Sequence, residues 1–563
     1  MKNASYLLVL FTLLISCTKS EEPNSTNIPE TPDAIEQGAQ SFSISNKEIT
    51  AKSTSGLTAK EFIPANVFVS VETSNGATIL NRKKLSVIDN GVDYVTEEIM
   101  LDPGTYKLTE FIVIDSDDFV ISLVPKATSA LSQFTSTSLP FNFPVQEANS
   151  KNTPVENIEA AGYSWVQFGY EDDDLAFPES DDFFTLTVDD TENLTTKTIV
   201  LKSLTGSTYK VDWGDGTVDE YVSTLSDLNI NNELSHDFED NGIYEIKVIG
   251  AIEAIEELEF RNNVPEHGYQ SNLVSANIGN LILLSTIEFH LGKLSTLDTS
   301  SNIDLEYLSL GYNQIIDLDL TKNQKLKKLY ARYNQLTAID VSQNPDLEFL
   351  WMEGNQISNL DVSNNSKLSV LLARGNVLTN VDFTNNQDLQ RFDLSNNLLS
   401  SIDLSQNLSL FEINVGANNL TQIDLSNNIE LERIDLYENQ ISSIDLSSNL
   451  RLRDLYIGDN LLDNIDLSLH SSFERLSIHN NNLTILDLSN NPLVSHLYVG
   501  SNQLSAAQLD LIISGIYDNA VSNSINMGYI DFQNNPGTDL IDQTTIAKIN
   551  ELALDYDWFF NNG

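Results

Sequence analysis

The chain has 563 residues, with 81 Asp and Glu against 30 Lys and Arg, a formal net charge of -51. That balance excludes a nucleic-acid partner, because phosphate contacts need a basic face, while it favours solubility and can attract divalent cations. The length allows about three domains, and the single cysteine, Cys17, excludes an internal disulfide or a cysteine metal cluster.

Residues 1–17 read as a bacterial export signal: Lys2, an apolar run from Tyr6 to Ile15, then Leu14-Ile15-Ser16-Cys17. The run is too short to span a bilayer as a mature helix. Its last four residues resemble the lipobox of bacterial lipoproteins, which implies that Cys17 becomes the lipidated first residue of the mature chain. More than one acyl chain on one residue makes a stable anchor. Thr18-Lys19-Ser20-Glu21-Glu22 resembles the surface-export signal of Bacteroidetes lipoproteins, which implies an outer-membrane protein exposed on the cell surface. Residues 18–40, with Ser, Thr, Glu and Pro concentrated up to Asp33, have little to bury and read as a disordered tether.

Residues 41–145 alternate like strands at Val67 to Val71, Ile99 to Leu101, Tyr106 to Ile114 and Phe119 to Val124. Leu101-Asp102-Pro103-Gly104-Thr105-Tyr106 is a turn feeding a strand. Short strands with turn signals predict a β-sandwich, read as a spacer and similar to the prealbumin-like or immunoglobulin-like modules of surface lipoproteins. Residues 146–182 carry Glu171-Asp172-Asp173-Asp174 and Asp181-Asp182, and read as a solvated acidic linker. Calcium, which takes carboxylate oxygens, is the alternative there, although no EF-hand spacing is present.

Residues 183–250 resemble a polycystic kidney disease (PKD) type β-sandwich through Trp213-Gly214-Asp215-Gly216-Thr217, His236-Asp237-Phe238 and Gly242-Ile243-Tyr244-Glu245-Ile246. The match is partial, since Trp213 abuts Gly214 where the family places an extra residue. Gly-Asp-Gly gives a tight turn, and the resemblance makes Asp215 and His236 turn and packing residues, not an acid/base pair. The last strand of this module is expected to cap the first coil of the segment after it.

From 251 to 535 a 21-residue period takes over. Asn313, Asn334, Asn355 and so on to Asn502 keep it, as do Asp319, Asp340 and so on to Asp487. A second Asn runs from Asn302 to Asn491, with His470 as its one gap. Such a period signals a solenoid, in which one coil cannot bury its apolar face without neighbours. Leu326-x-x-Leu329-x-Ala331-x-x-Asn334-x-Leu336 fits L-x-x-L-x-L-x-x-N-x-L, and the array resembles the leucine-rich repeat family in its short bacterial form. The Asn is expected to cap backbone groups of the turn. Ile255-x-x-Leu258-x-Phe260-x-x-Asn263 opens the array, and the step from Leu258 to Ile287 implies an insertion near Val264 to Gln270. Ala506 to Tyr517 reads as a helix, Ile530-x-Phe532-x-x-Asn535 as a further coil, and residues 536–563 as a helical cap with Thr544 to Asp555 helical. The predicted fold is mainly β: a leucine-rich repeat solenoid with a parallel sheet and short capping helices, preceded by two β-sandwich domains.

No nucleophile motif, phosphate loop or metal-ligand spacing is found, so no enzyme activity, catalytic residue, metal site or cofactor is expected, calcium remaining open. The Asp column reads as a structural ladder, since carboxylates about 4.8 Å apart repel unless hydrogen-bonded; Ser342 and its counterparts offer such bonds, and ion binding is the alternative. Function is sought on the concave face. There Tyr307, Tyr312, Tyr330, Arg332, Tyr333, Phe349, Trp351 and Arg374 form an aromatic patch with two Arg, the residue types that anchor interfaces. A weaker group is Tyr437, Tyr456, Arg475, His479 and Tyr498. The resemblance to internalin-like surface proteins implies a protein ligand bound non-covalently in adhesion or interaction. A glycan-binding lipoprotein for polysaccharide capture is the alternative, because aromatic strips stack on sugars. A monomer is expected, touching the membrane only through its lipid.

Overall fold

The computed structural model describes residues 36–47, 63–161, 163–171, 175–177, 182–192, 196–223, 232–262 and 272–562. Cys17, the tether to Asp33, the carboxylates Asp172 to Asp174 and Asp181, and the insertion at Val264 to Gln270 lie outside the described residues.

The first domain has nine strands: β1 (Gly38–Lys47), β2 (Asn66–Thr73), β3 (Thr78–Asp89), β4 (Tyr94–Thr96), β5 (Ile99–Leu101), β6 (Gly104–Ile114), β7 (Val120–Leu123), β8 (Phe141–Val145) and β9 (Ser150–Glu159). The expected β-sandwich over 41–145 is not what forms. Strands β2, β3, β4, β1, β9, β7 and β6 pair in that order and β6 pairs back to β2, a closed ring of seven. Closure leaves the ring without unpaired edges. The element that completes it, β9, comes from the stretch expected as an acidic linker, and pairs parallel to β1 from Ala39↔Ser150 to Lys47↔Ile158. Behind it Tyr163, Trp165, Phe168 and Tyr170 are buried in the same core, and the Tyr170 hydroxyl donates to Val124 O at 2.9 Å. These aromatics, with Phe177 packed beside them, hold the described part of the segment against the core where a solvated linker was expected. Phe42 sits at the centre of the domain with edge-on contacts to Phe111 and Phe143, at 5.9 and 5.4 Å between centroids.

The second module contributes β10 (Phe183–Asp189), β11 (Lys197–Lys202), β12 (Thr208–Asp212), β13 (Val218–Val222), β14 (Asn232–His236), β15 (Ile243–Gly250), β16 (Glu257–Asn262) and β17 (Leu273–Asn277). Five of them form one sheet in the order β13-β12-β15-β10-β17. The other two of its own strands, β14 and β11, belong to the sheet of the array, because β11 pairs antiparallel with β16. Here too the structure corrects the expectation: the last strand, β15, lies inside the five-stranded sheet, and β11 covers the first coil. The exchange runs both ways, since β17, downstream of the first coil, joins the five-stranded sheet beside β10. One continuous apolar core therefore runs from Phe184 and Trp213 through Leu258 to Trp558.

From β16 the sheet continues through three-residue strands in parallel register, with Leu258↔Ile287, Ile287↔Leu308 and Leu308↔Leu329 side by side, to Leu497↔Ile530. The 18-residue helix α1 (Ala506–Asn523) follows Ser505, whose side chain accepts from the Gln508 N–H, and buries Leu509, Ile512, Ile513 and Ile516. A second helix, α2 (Gln543–Asp555), starts at the Asp542 cap. The C-terminal cap is not helical to its end: Phe559–Asn561 adds a last parallel strand beside Tyr529–Asp531, anchored by buried Trp558, whose Nε1 donates to Ile525 O at 2.9 Å.

Two Asn columns hold neighbouring coils together. Asn334 Nδ2 donates to Leu310 O of the preceding coil at 2.9 Å and to Ala331 O at 3.1 Å, while its Oδ1 accepts from the Ile315 N–H at 3.0 Å. In the second column Asn365 Nδ2 donates to Val341 O and Asn344 O, both at 2.9 Å. His470 stands in this column and its Nε2 donates to Leu446 O at 3.1 Å, the carbonyl an Asn would have reached. Buried backbone groups need partners, and these side chains supply them.

Candidate functional site

In the strands Tyr307–Ser309, Lys328–Tyr330 and Phe349–Trp351 the middle side chain is buried and its two neighbours point out of the sheet, as alternation requires. Tyr307, Tyr330, Phe349 and Trp351 thereby share the outer face. Tyr330 lies 5.2 Å from Tyr307, 4.8 Å from Phe349 and 5.9 Å from Trp351 between centroids. One step further along the coil, Arg332 places its guanidinium 3.9 Å from the Trp351 ring centre and 5.1 Å from that of Tyr312. The Trp351 indole N–H donates to Glu353 Oε2 at 3.2 Å, and the Tyr333 hydroxyl donates to the other oxygen of Glu353 at 2.9 Å. Tyr312 and Tyr333 stack at 4.6 Å. Seven of the eight predicted residues thus form one contiguous cluster. The eighth, Arg374, is exposed and its charge acts on Tyr333 on one side and on Asp435 and Tyr437 on the other.

Backbone conformation adds what periodicity alone did not reveal. Tyr312 and Tyr333 have φ of 58° and 51°, in the left-handed region that costs a side chain about 1–2 kcal/mol. The same turn position is Gly354 and Gly375 in the next two coils. A Cβ on Gly354 would lie 2.6 Å from the Tyr333 ring, so this glycine is the floor on which that ring rests. The outer face is also polarised. Burial, then the Glu288 charge, pushes the Tyr307 hydroxyl up to about 12, and the hydrogen bond to Glu353 raises Tyr333. Burial lifts Asp435 to about 6.

The second group does not come together as one patch. Arg433 sits over Tyr456 at 4.5 Å, His479 pairs with Asp459 at 3.0 Å, and Tyr498 meets Tyr529 at 5.0 Å. Arg475 instead ends an alternating ladder that the sequence reading missed: Arg391–Glu412 at 3.3 Å, Glu412–Arg433 and Arg433–Asp454 at 3.7 Å, and Asp454–Arg475 at 3.2 Å. Its signal was available, as opposite charges alternating at the first strand position every 21 residues. The ladder pairs each of its charges with a neighbour of opposite sign and runs along the coils beyond the aromatic cluster.

The Asp column is bonded as a ladder of turns. Asp340, Asp403 and Asp445 each accept, through Oδ1, the N–H two residues on, at 2.9 Å, and hydrogen bonds from those Ser residues hold their carboxyls below the usual range. Asp215 and His236 meet at 2.7 Å, with the imidazole stacked on buried Trp213 at 4.8 Å. Among the described residues no group of three or more His, Cys, Asp or Glu side chains converges as a metal site would.

Comparisons with known proteins address the array. Solved structures similar to the chain include the functional domain of internalin J from Listeria monocytogenes, at 24% identity over 51% of this chain and 76% of that one, TM-score 0.39. Internalin F of the same organism aligns at 21% identity over 55% of this chain and 89% of that one, TM-score 0.47. A leucine-rich repeat protein of Leptospira interrogans aligns at 20% over 50% and 79%, TM-score 0.41. No curated protein sequence matches the chain. Residues 324–365 match the family model for leucine-rich repeats in two copies, so this stretch of the array carries leucine-rich repeats.

Proposed function

We propose that this chain is a surface lipoprotein that binds a protein partner non-covalently through the aromatic end of its repeat face, in adhesion or interaction. The observation that carries the reading is Arg332 held over Trp351 inside a half-buried cluster of Tyr and Phe. Trp, Tyr and Arg dominate interface energetics, and side chains already ordered by stacking lose little further freedom on binding. The solenoid geometry expected of such repeats would present the cluster on a rigid concave surface. Anchoring rests on Leu14-Ile15-Ser16-Cys17 and outer-face exposure on the acidic run after it; the barrel and the PKD-like module then act as spacers.

A glycan ligand would need open ring faces. Tyr330 and Phe349 lie within 25° of parallel and cover each other, Tyr312 and Tyr333 within 17°, and Arg332 covers Trp351. That arrangement favours a protein surface reaching the ring edges, the guanidinium and Glu353.

The test is a binding screen of the chain beginning after Asp33 against neighbouring-cell surface proteins and glycans, beside a variant with Tyr330, Trp351 and Arg374 changed to Ala. The expected result is a protein ligand whose affinity drops about 30-fold or more in the variant, the scale of a hot spot of about 2 kcal/mol. A glycan hit lost in the variant would move the assignment to polysaccharide capture. Binding indifferent to all three changes would overturn the patch.

A further inference from the structure

Apart from the outer face, the second module encloses a cluster with chemistry of its own. Lys197 opens β11, Asp190 follows β10, and Asn272 precedes β17. The side chains of Lys197 and Asp190 have no solvent exposure at all, and Asn272 is 8% exposed. Lys197 Nζ lies 2.6 Å from Asp190 Oδ1, and Asn272 Nδ2 donates to that same oxygen at 2.8 Å. An amine, a carboxylate and a carboxamide therefore converge on one atom in a site closed to water. The remaining oxygen of Asp190 has no hydrogen-bond partner among the described residues, so the carboxyl keeps capacity to take up a proton.

We propose that Lys197 and Asn272 join in an intramolecular isopeptide bond, with Asp190 carrying the proton between them. In the first step Lys197 passes a proton to Asp190, and the neutral Nζ attacks Cγ of Asn272. Asp190 then returns the proton to Nδ2, the nitrogen it already contacts, and Nδ2 leaves as ammonia. Asp190 takes the second proton that Nζ sheds in becoming an amide N–H and passes it to the departing ammonia, which leaves as ammonium. One C–N bond forms and one breaks, nothing is oxidised, and water is not required. Burial pulls the lysine down from its ordinary range against the opposing pull of Asp190, and a desolvated lysine amine is an effective nucleophile. Proton transfer by a carboxyl within hydrogen-bond reach is ordinary general acid–base work.

The link would serve the architecture. Lys197 belongs to the sheet of the array and Asn272 leads into the five-stranded sheet, so the bond would tie the two sheets of the module across a long loop. Closing such a loop constrains the unfolded chain as a disulfide does, and this chain, whose one cysteine is Cys17, has no disulfide to do it.

Peptide mapping by mass spectrometry on the folded, full-length chain tests this. After denaturation and digestion, a branched peptide joining Lys197 to Asn272 is expected, lighter than its two parts by one ammonia, with the linear peptides for both residues depleted. Lys197→Arg and Asp190→Ala should restore the linear peptides. Linear peptides alone from the folded wild-type chain overturn the proposal, whether or not the variants fold. A branch from Lys197 to Asp190 with loss of water would overturn Asn272 as the acceptor.

Discussion

Substituting Asn397 with Ala should destabilise the array far more than its size suggests. Its Nδ2 donates to Ala373 O at 3.1 Å and to Leu394 O at 2.9 Å, and its Oδ1 accepts from the Leu378 N–H at 3.0 Å. Alanine leaves that N–H without its partner in a site that is 5% exposed, while Ala373 O and Leu394 O each lose one of two amide donors and keep those of Asn376 and Asn418, both at 3.0 Å. At about 1–3 kcal/mol for the one buried group left unsatisfied and about 0.5–1.5 kcal/mol for each of the two bonds lost, with incomplete additivity, the cost should be roughly 2–5 kcal/mol. Asn386, in the second column, serves Val362 O and Asn365 O, at 3.0 and 2.9 Å, both of which also accept a backbone N–H, and Asn386→Ala should cost only roughly 1–3 kcal/mol. Asn386→His should be milder than Asn386→Ala, because the chain itself uses His470 in that column to reach the equivalent carbonyl. Asn397→His has no such precedent and should resemble Asn397→Ala. Equilibrium urea unfolding, with hydrogen exchange at the Leu378 amide as the local probe, measures both the order and the sizes. Exposed Asn385, bonded only to Ser363 O at 3.1 Å, is the control. If Asn397→Ala costs no more than Asn385→Ala, the view that this column satisfies the backbone between coils is wrong.

Two further outcomes are expected. Glu253 is buried where the barrel core reaches Ala251 and Ala254; desolvation lifts it from 4.5 to about 7 against the hydrogen bond from Tyr163. Both states are protonated at low pH, and only the unfolded chain ionises as pH rises from 4.5. Stability should therefore fall by up to about 3 kcal/mol between pH 4.5 and 7 and then level off. Glu253→Gln should remove that component, and an unchanged pH slope in thermal unfolding would refute it. Gly354→Ala should cost about 1–2 kcal/mol for its φ of 67° and push the Tyr333 ring off its floor, weakening ligand binding beyond the effect of Tyr333→Phe. Equal affinities for those two variants would remove Gly354 from the site.

The chain's own letters determined the array. A 21-residue period is a local pattern, each coil contacts chiefly its neighbours, and register follows once Leu308, Leu329 and Leu350 must lie side by side in the core. The aromatic patch was legible for the same reason, since residues 21 apart land beside one another. Its internal order was not: which ring covers which, and that Arg332 lies over Trp351, depend on rotamers that neighbouring coils settle together. Only tertiary structure decided the N-terminal half. Closure of the barrel by β9, the passing of β11 to one sheet and β17 to the other, and the meeting of Asp190, Lys197 and Asn272 all join segments far apart in sequence. Alternating strands say which face is apolar but not which strand lies next to them, and that choice falls to whichever pairing buries the most surface and leaves the fewest open edges.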